Sequence, residues 1–188
     1  MKTILLLGDS IRMFYCNYVR ELLNEYNVVW PEDNCRFSLY TLRCISDWMA
    51  LTPQPEEVTL IHWNNGLWDM ARHTLDGKPL TSMEDYVKNL KRIIFELKNR
   101  FPKAKIVFAT TTSVDPALGF IDNHDIIAYN AAAVELMKNN HIAVNDLYSL
   151  MAAHPEYIRK EDLIHETDEG AKALAEQVAK FIRNELFV

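Results

Sequence analysis

The spacing of apolar residues changes repeatedly along the chain, and each change marks an element. Ile4, Leu5, Leu6 and Leu7 form an unbroken apolar run, as expected of a short strand buried on both faces in the middle of a parallel sheet. Gly8 and Asp9 interrupt it. From Ile11 onward Met13, Phe14, Val19, Leu22, Leu23 and Tyr26 recur at helical spacing. A second strand is expected at 27–30, a polar loop at 31–36, and a helix at 38–51 that turns Leu39, Leu42, Ile45, Trp48 and Met49 to one side. Pro53 and Pro55 stop it, and a third strand spans 58–63. The connection 64–81 carries Gly66, Gly77 and Pro79; connections this long in compact domains are often functional. Ser82 followed by Asp85 reads as a variant capping box, opening a helix that runs to about residue 100 and is ended by Pro102. A strand at 105–110, a loop at 111–123, a helix at 125–139, a strand at 141–144, a short helix at 146–153, a connector at 155–161 and an amphipathic helix at 168–186 complete the chain.

Five strands alternating with helices predict βαβ units, hence an α/β fold with a five-stranded parallel sheet covered on both faces. No linker or repeat divides the sequence, so residues 1–188 are expected to form one domain. The composition, 49% hydrophobic and 24% charged, suits a soluble protein with a real core. A net charge of -6 and the lack of any basic run argue against a nucleic-acid partner. The apolar run near the start is too short for a signal-peptide core or a membrane span, so a cytoplasmic location is expected. Cys16, Cys35 and Cys44 have no metal-like spacing and read as free thiols in a reducing compartment. Nothing in the pattern specifies an oligomeric state.

Candidate chemistry gathers at three places. Ser10 follows the first strand, at the carboxyl-end edge where open α/β sheets place their sites and beside the free N–H groups of a helix N-terminus. Ser and Asp are also the ordinary helix caps, so Ser10 reads equally as a cap. Asp162 and His165, three apart in a polar turn, put a carboxylate and an imidazole on one side; such a carboxylate fixes the tautomer and leaves the other nitrogen free to take a proton. A solvated polar turn has the same composition. Asn64 is the first residue past the third strand, on the same edge as Ser10, where its amide N–H groups can meet an oxyanion. Asn65-Gly66 is in addition a turn signal. Trp63 and Trp68 read as packing residues or pocket walls, His62 as a core histidine, and Arg12, Asp69 and Arg72 as surface ion pairs near the mouth.

These pieces resemble the SGNH hydrolases, the GDSL-type esterases. Gly8-Asp9-Ser10-Ile11 is similar to that family's block I, and Asp162-Leu163-Ile164-His165 with Gly170 to its block V. Trp63-Asn64-Asn65-Gly66 resembles block III, where the family usually has Gly-x-Asn-Asp. Block II departs: the glycine that usually supplies a backbone oxyanion donor has no counterpart in the segment 34–38, and Arg36 stands nearest to its position. The resemblance implies a three-layer, flavodoxin-like α/β/α sandwich and hydrolysis of carboxylic esters without metal or organic cofactor. It assigns Ser10 as nucleophile, His165 as base and Asp162 as its orienting carboxylate. The oxyanion would meet the backbone N–H of Ser10, the Asn64 side chain and the backbone N–H of Arg36. Asp9, Trp63 and Trp68 are expected to line the substrate pocket. Crowding by Arg36, Trp63 and Trp68 points to a small-molecule or carbohydrate ester with a short acyl group, such as acetyl on a sugar. Two other readings stay open: metal-assisted phosphoester hydrolysis through Asp9, Asn64, Asp162 and His165, and a non-catalytic carbohydrate- or acyl-binding module that keeps the fold.

Overall fold

The computed structural model describes residues 2–187. Strand β1 (Thr3–Leu7) lies between β2 (Asn27–Val29) and β3 (Val58–Trp63), and β4 (Lys105–Ala109) and β5 (Ala143–Asn145) extend the sheet beyond β3. All pairings are parallel, in the order β2-β1-β3-β4-β5. Every residue of β1 is buried, as its unbroken apolar run requires of a strand covered on both faces. Helices α1 (Ser10–Leu22) and α7 (Asp168–Phe187) pack together on one face. On the other, α4 (Met83–Arg100) packs between α2 (Ser38–Trp48) and α5 (Asn123–Asn139). Two short helices, α3 (Leu67–Met70) and α6 (Leu147–Ala153), sit in the connections. Trp63, Tyr15, Tyr86 and Phe108 are the bulkiest aromatic groups in the core.

This strand order places the switch point between β1 and β3, where the chain first runs outward to β2 and then returns past β1. Open α/β sheets leave a crevice there, outside the carboxyl ends of the strands. Leu7 is paired with Trp63, and the N–H of Asn64 donates to Leu7 O at 3.1 Å. The two strands therefore end level, and the residues after them face the same edge.

The elements follow the sequence pattern closely, with three differences of physical cause. Asp9, not Ser10, caps α1: its carboxylate accepts from the N–H of Ile11 at 3.1 Å. Helix α5 begins two residues earlier than its apolar pattern, because Asp122 caps it through the N–H of His124. Strand β5 begins two residues later than expected. His141 adopts φ 55°, and the N–H groups of His141 and Ile142 return to the carbonyls of Lys138 and Met137, a Schellman closure that uses histidine where glycine is usual.

Candidate active site

Because Asp9 takes the capping role, the Ser10 hydroxyl is free to point elsewhere. It lies 2.8 Å from His165 Nε2, and His165 Nδ1 lies 3.0 Å from Asp162 Oδ2. The Ser10 N–H, in the first turn of α1, has no acceptor among the described residues, as the first helical N–H groups usually do not.

The imidazole arrives from a tightly tied turn. Leu163 takes φ 65°, a left-handed conformation that costs roughly 1–2 kcal/mol outside glycine. That reversal lets Asp162 Oδ1 accept from the N–H groups of Ile164 (3.0 Å) and His165 (2.9 Å). Leu163 O accepts from Asp115, and His165 O accepts from the N–H of Arg159. Burial pulls the Asp162 carboxyl upward, but the bonds from His165 and Ile164 outweigh it and hold the pKa below its usual 3.8. An ionised Asp162 fixes the proton of His165 on Nδ1, so Nε2 faces Ser10 as an acceptor. Phe14, one helical turn beyond Ser10, stacks on the imidazole with centroids 5.1 Å apart, and the Arg159 guanidinium lies over the Phe14 ring at 4.4 Å. Gly170 lets the start of α7 approach Tyr157 closely: a Cβ there would stand 2.8 Å from Tyr157 O.

Asn64 sits against the turn that leads into Ser10. Its Nδ2 donates to Asp9 Oδ1 at 3.2 Å, its second amide proton having no acceptor among the described residues. A Cβ on Gly8 would lie 2.0 Å from Asn64 Oδ1; only glycine allows the contact. Asp9 is fully buried, which pushes its pKa up against the lowering effect of its bonds to Asn64 and Ile11 and of the Arg12 and His165 charges.

Three residues expected at the pocket or the oxyanion site are placed differently. Asp9 is interior, occupied in capping α1 and holding Asn64. Trp63 is buried in the core, edge-on to Phe108, with its indole N–H on Asn65 Oδ1 at 2.7 Å. Arg36 turns its guanidinium outward over Tyr40, and its backbone N–H donates to Asn34 Oδ1 at 2.8 Å. Its φ of 49° is nevertheless the left-handed conformation that favours glycine. Cys35 lies directly beside Gly8, its N–H on Gly8 O and its Sγ accepting from the N–H of Gly8. Trp68 does reach a pocket of about 180 Å³ that also includes Ser10, His165, Leu67, Ala71, Phe120, Ile121 and Ile164.

The residues read as surface ion pairs divide. Arg72 pairs with Asp125 at 2.7 Å. Arg12 is buried and donates to Asp33 O and Gly8 O. Asp69 is buried too, accepting from the N–H and hydroxyl of Ser38, and burial pushes its pKa up to about 6 despite those bonds. His62 is a core histidine: Asn145 is 3.2 Å from Nε2, and burial pulls its pKa down to about 3. Glu166 is fully buried, neither carboxyl oxygen meeting a donor among the described residues, and its pKa is driven well above 4.5. Sequence alone gave no sign of this glutamate; the role of Phe14 was readable from its i, i+4 relation to Ser10. Among the described residues no three His, Cys, Asp or Glu side chains cluster to hold a metal ion, and no helix is long and apolar enough to cross a membrane.

Solved structures share this architecture. An acetyl xylan esterase, AlAXEase, superimposes with TM-score 0.78 at 16% identity, over 96% of this chain and 99% of that one. The lipase/acylhydrolase from Enterococcus faecalis gives TM-score 0.76 at 19% identity, over 98% and 97%. The chain shares the fold of these esterase and acylhydrolase structures. Sequence agrees at a distance: the GDSL esterase/lipase WDL1 of Oryza sativa subsp. japonica is 24% identical over 143 residues, 69% of this chain. The chain spans about half of that relative's length, 54%. No family model matches it.

Proposed function

We propose that the chain hydrolyses carboxylic esters through an acyl-enzyme on Ser10. The observation that carries this reading is the hydrogen-bonded line from Asp162 through His165 to Ser10, at 3.0 and 2.8 Å. His165 Nε2 takes the Ser10 proton as Oγ attacks the ester carbonyl, and Asp162 stabilises the imidazolium that results. The oxyanion is met by the Ser10 N–H and by the uncommitted amide proton of Asn64. Arg36 contributes its N–H only when the turn closed by Asn34 opens. His165 returns the proton to the leaving alcohol, then activates the water that releases the acid. No step calls on a metal or organic cofactor. The esterase and acylhydrolase names of the similar proteins support a carboxylic ester as substrate. The three buried free thiols support a cytoplasmic placement.

Replacing Ser10 by Ala tests the reading. Turnover of short p-nitrophenyl esters is expected to fall by on the order of a million-fold, as for other triad nucleophiles, with the thermal transition retained. Undiminished turnover in the variant would remove Ser10 from the mechanism.

A further inference from the structure

The pocket beside Ser10 carries a statement about the substrate, resting on the hydrolase reading above. Its volume is about 180 Å³. A cavity of about 150 Å³ accommodates benzene, so this one has room for about six carbon atoms. Its walls are Leu67, Trp68 and Ala71 from the segment after β3, Phe120 and Ile121 from the loop after β4, and Ile164. Beyond Ser10 and His165 the lining side chains with polar atoms are Trp68, through its indole N–H alone, and His73, which is exposed and lies against the Phe120 ring at 4.6 Å. Sugar recognition depends on placed polar groups that answer each hydroxyl, and these walls offer almost none. Arg36 and Trp63, which were expected to crowd and polarise this space, are absent from it.

The direction of the pocket follows from its walls. Ile164 and His165 come from the catalytic turn; apart from Ser10, the other walls belong to the segment after β3 and the loop after β4. The leaving oxygen must lie next to His165 Nε2 to receive its proton, so the space away from the base falls to the acyl chain. The walls are also fixed. The N–H of Ile164 is bonded to Asp162 Oδ1, and Phe120 O accepts from the N–H of Arg72 at 2.9 Å.

We propose that this pocket binds the acyl chain and selects apolar acyl groups of about four to six carbons over acetyl. Ala71 and Ile164 set the length. Each methylene buried there is expected to raise kcat/KM about fourfold until the pocket is full.

The test is a p-nitrophenyl ester series from acetate to decanoate, run beside a series of n-alkyl acetates, on the full chain and on Ala71→Leu and Ile164→Ala. The expected result is a rise from acetate to a maximum at butyrate or hexanoate, then a fall. Ala71→Leu lowers the hexanoate-to-acetate ratio at least tenfold, and Ile164→Ala moves the maximum to longer acids; Ile164 is half-buried, so that variant serves if Ala71→Leu does not fold. A profile that is flat or highest at acetate overturns the proposal while leaving Ser10 chemistry intact. So do ratios unmoved by the substitutions, or a length preference that follows the alcohol in the acetates instead of the acid. An absence of Ser10-dependent turnover on every ester defeats the hydrolase reading itself, and this inference with it.

Discussion

Two loops flank Ser10, and they spend their polar groups in opposite ways. The turn carrying Asp162 and His165 directs its donors and acceptors toward Ser10: the Asp162 carboxylate holds the ring, and the ring meets Oγ. The segment 33–38 on the other side turns inward. Arg36 gives its N–H to Asn34 and its carbonyl to Asn65, and Ser38 is bound to buried Asp69. In the proposed mechanism the proton-transfer groups are thus already in contact, whereas the oxyanion is left to two groups, the Ser10 N–H and the Asn64 amide. A left-handed residue at Arg36 keeps the backbone path that a glycine would take, without the outward-facing N–H. The contrast shows that backbone shape and donor availability are separate requirements, and that a loop can keep the first while withholding the second.

Removing the side-chain donor of that pair is the strongest way to break this contrast. Asn64→Ala is expected to lower kcat by about 10²–10³, the usual worth of one oxyanion donor, with KM little changed. A loss under tenfold, measured on a short-chain ester, would mean that another group carries the oxyanion. Freeing the withheld donor sharpens it. Asn34→Ala releases the Arg36 N–H while Asn65 still holds the Arg36 carbonyl at 2.9 Å; kcat is expected to rise, by at most about the same 10². A fall would show that the turn closed by Asn34 is the working form.

The smallest effect concerns the buried carboxyl behind the assembled side. Glu166 follows His165 directly, and burial holds its folded pKa well above 4.5. Between the unfolded and folded values the folded chain keeps a proton that the unfolded chain releases, so stability falls as pH rises through that window. Below about pH 4.5 both states are protonated and the contribution is complete. Glutamine has the shape of the protonated acid and no proton to lose. Glu166→Gln is therefore expected to melt higher than the parent at pH 8, with the difference shrinking toward pH 4. A constant difference at all pH values would contradict a protonated Glu166.

Much of this was legible from the sequence, for identifiable reasons. A strand buried on both faces leaves an unbroken apolar run, so β1 was read to within a residue. Ser10, Asn64, Asp162 and His165 stand at strand ends and turns, where local signals are strong, and the structure brings them to one edge. What was not legible depends on long-range burial. Asp9, Arg12, Asp69 and Glu166 are polar letters that a pattern assigns to the surface, yet all four are interior. Nor did the pattern show that Trp63 faces the core while Trp68, five positions on, reaches the pocket. The irregular backbone between them, Asn64 to Gly66, breaks the strand period before α3 begins. The helix boundary at Asp122 and the late start of β5 were missed because caps override apolar spacing at element ends.

Fluorophosphonate labelling with peptide mapping tests the central claim most directly, since the reagent reports a serine hydroxyl activated by its neighbours. The full chain is expected to take one adduct per molecule on Ser10, and the His165→Ala variant to take almost none in the same time. Labelling that maps to another residue, or that proceeds on Ser10 equally well without His165, would contradict the account.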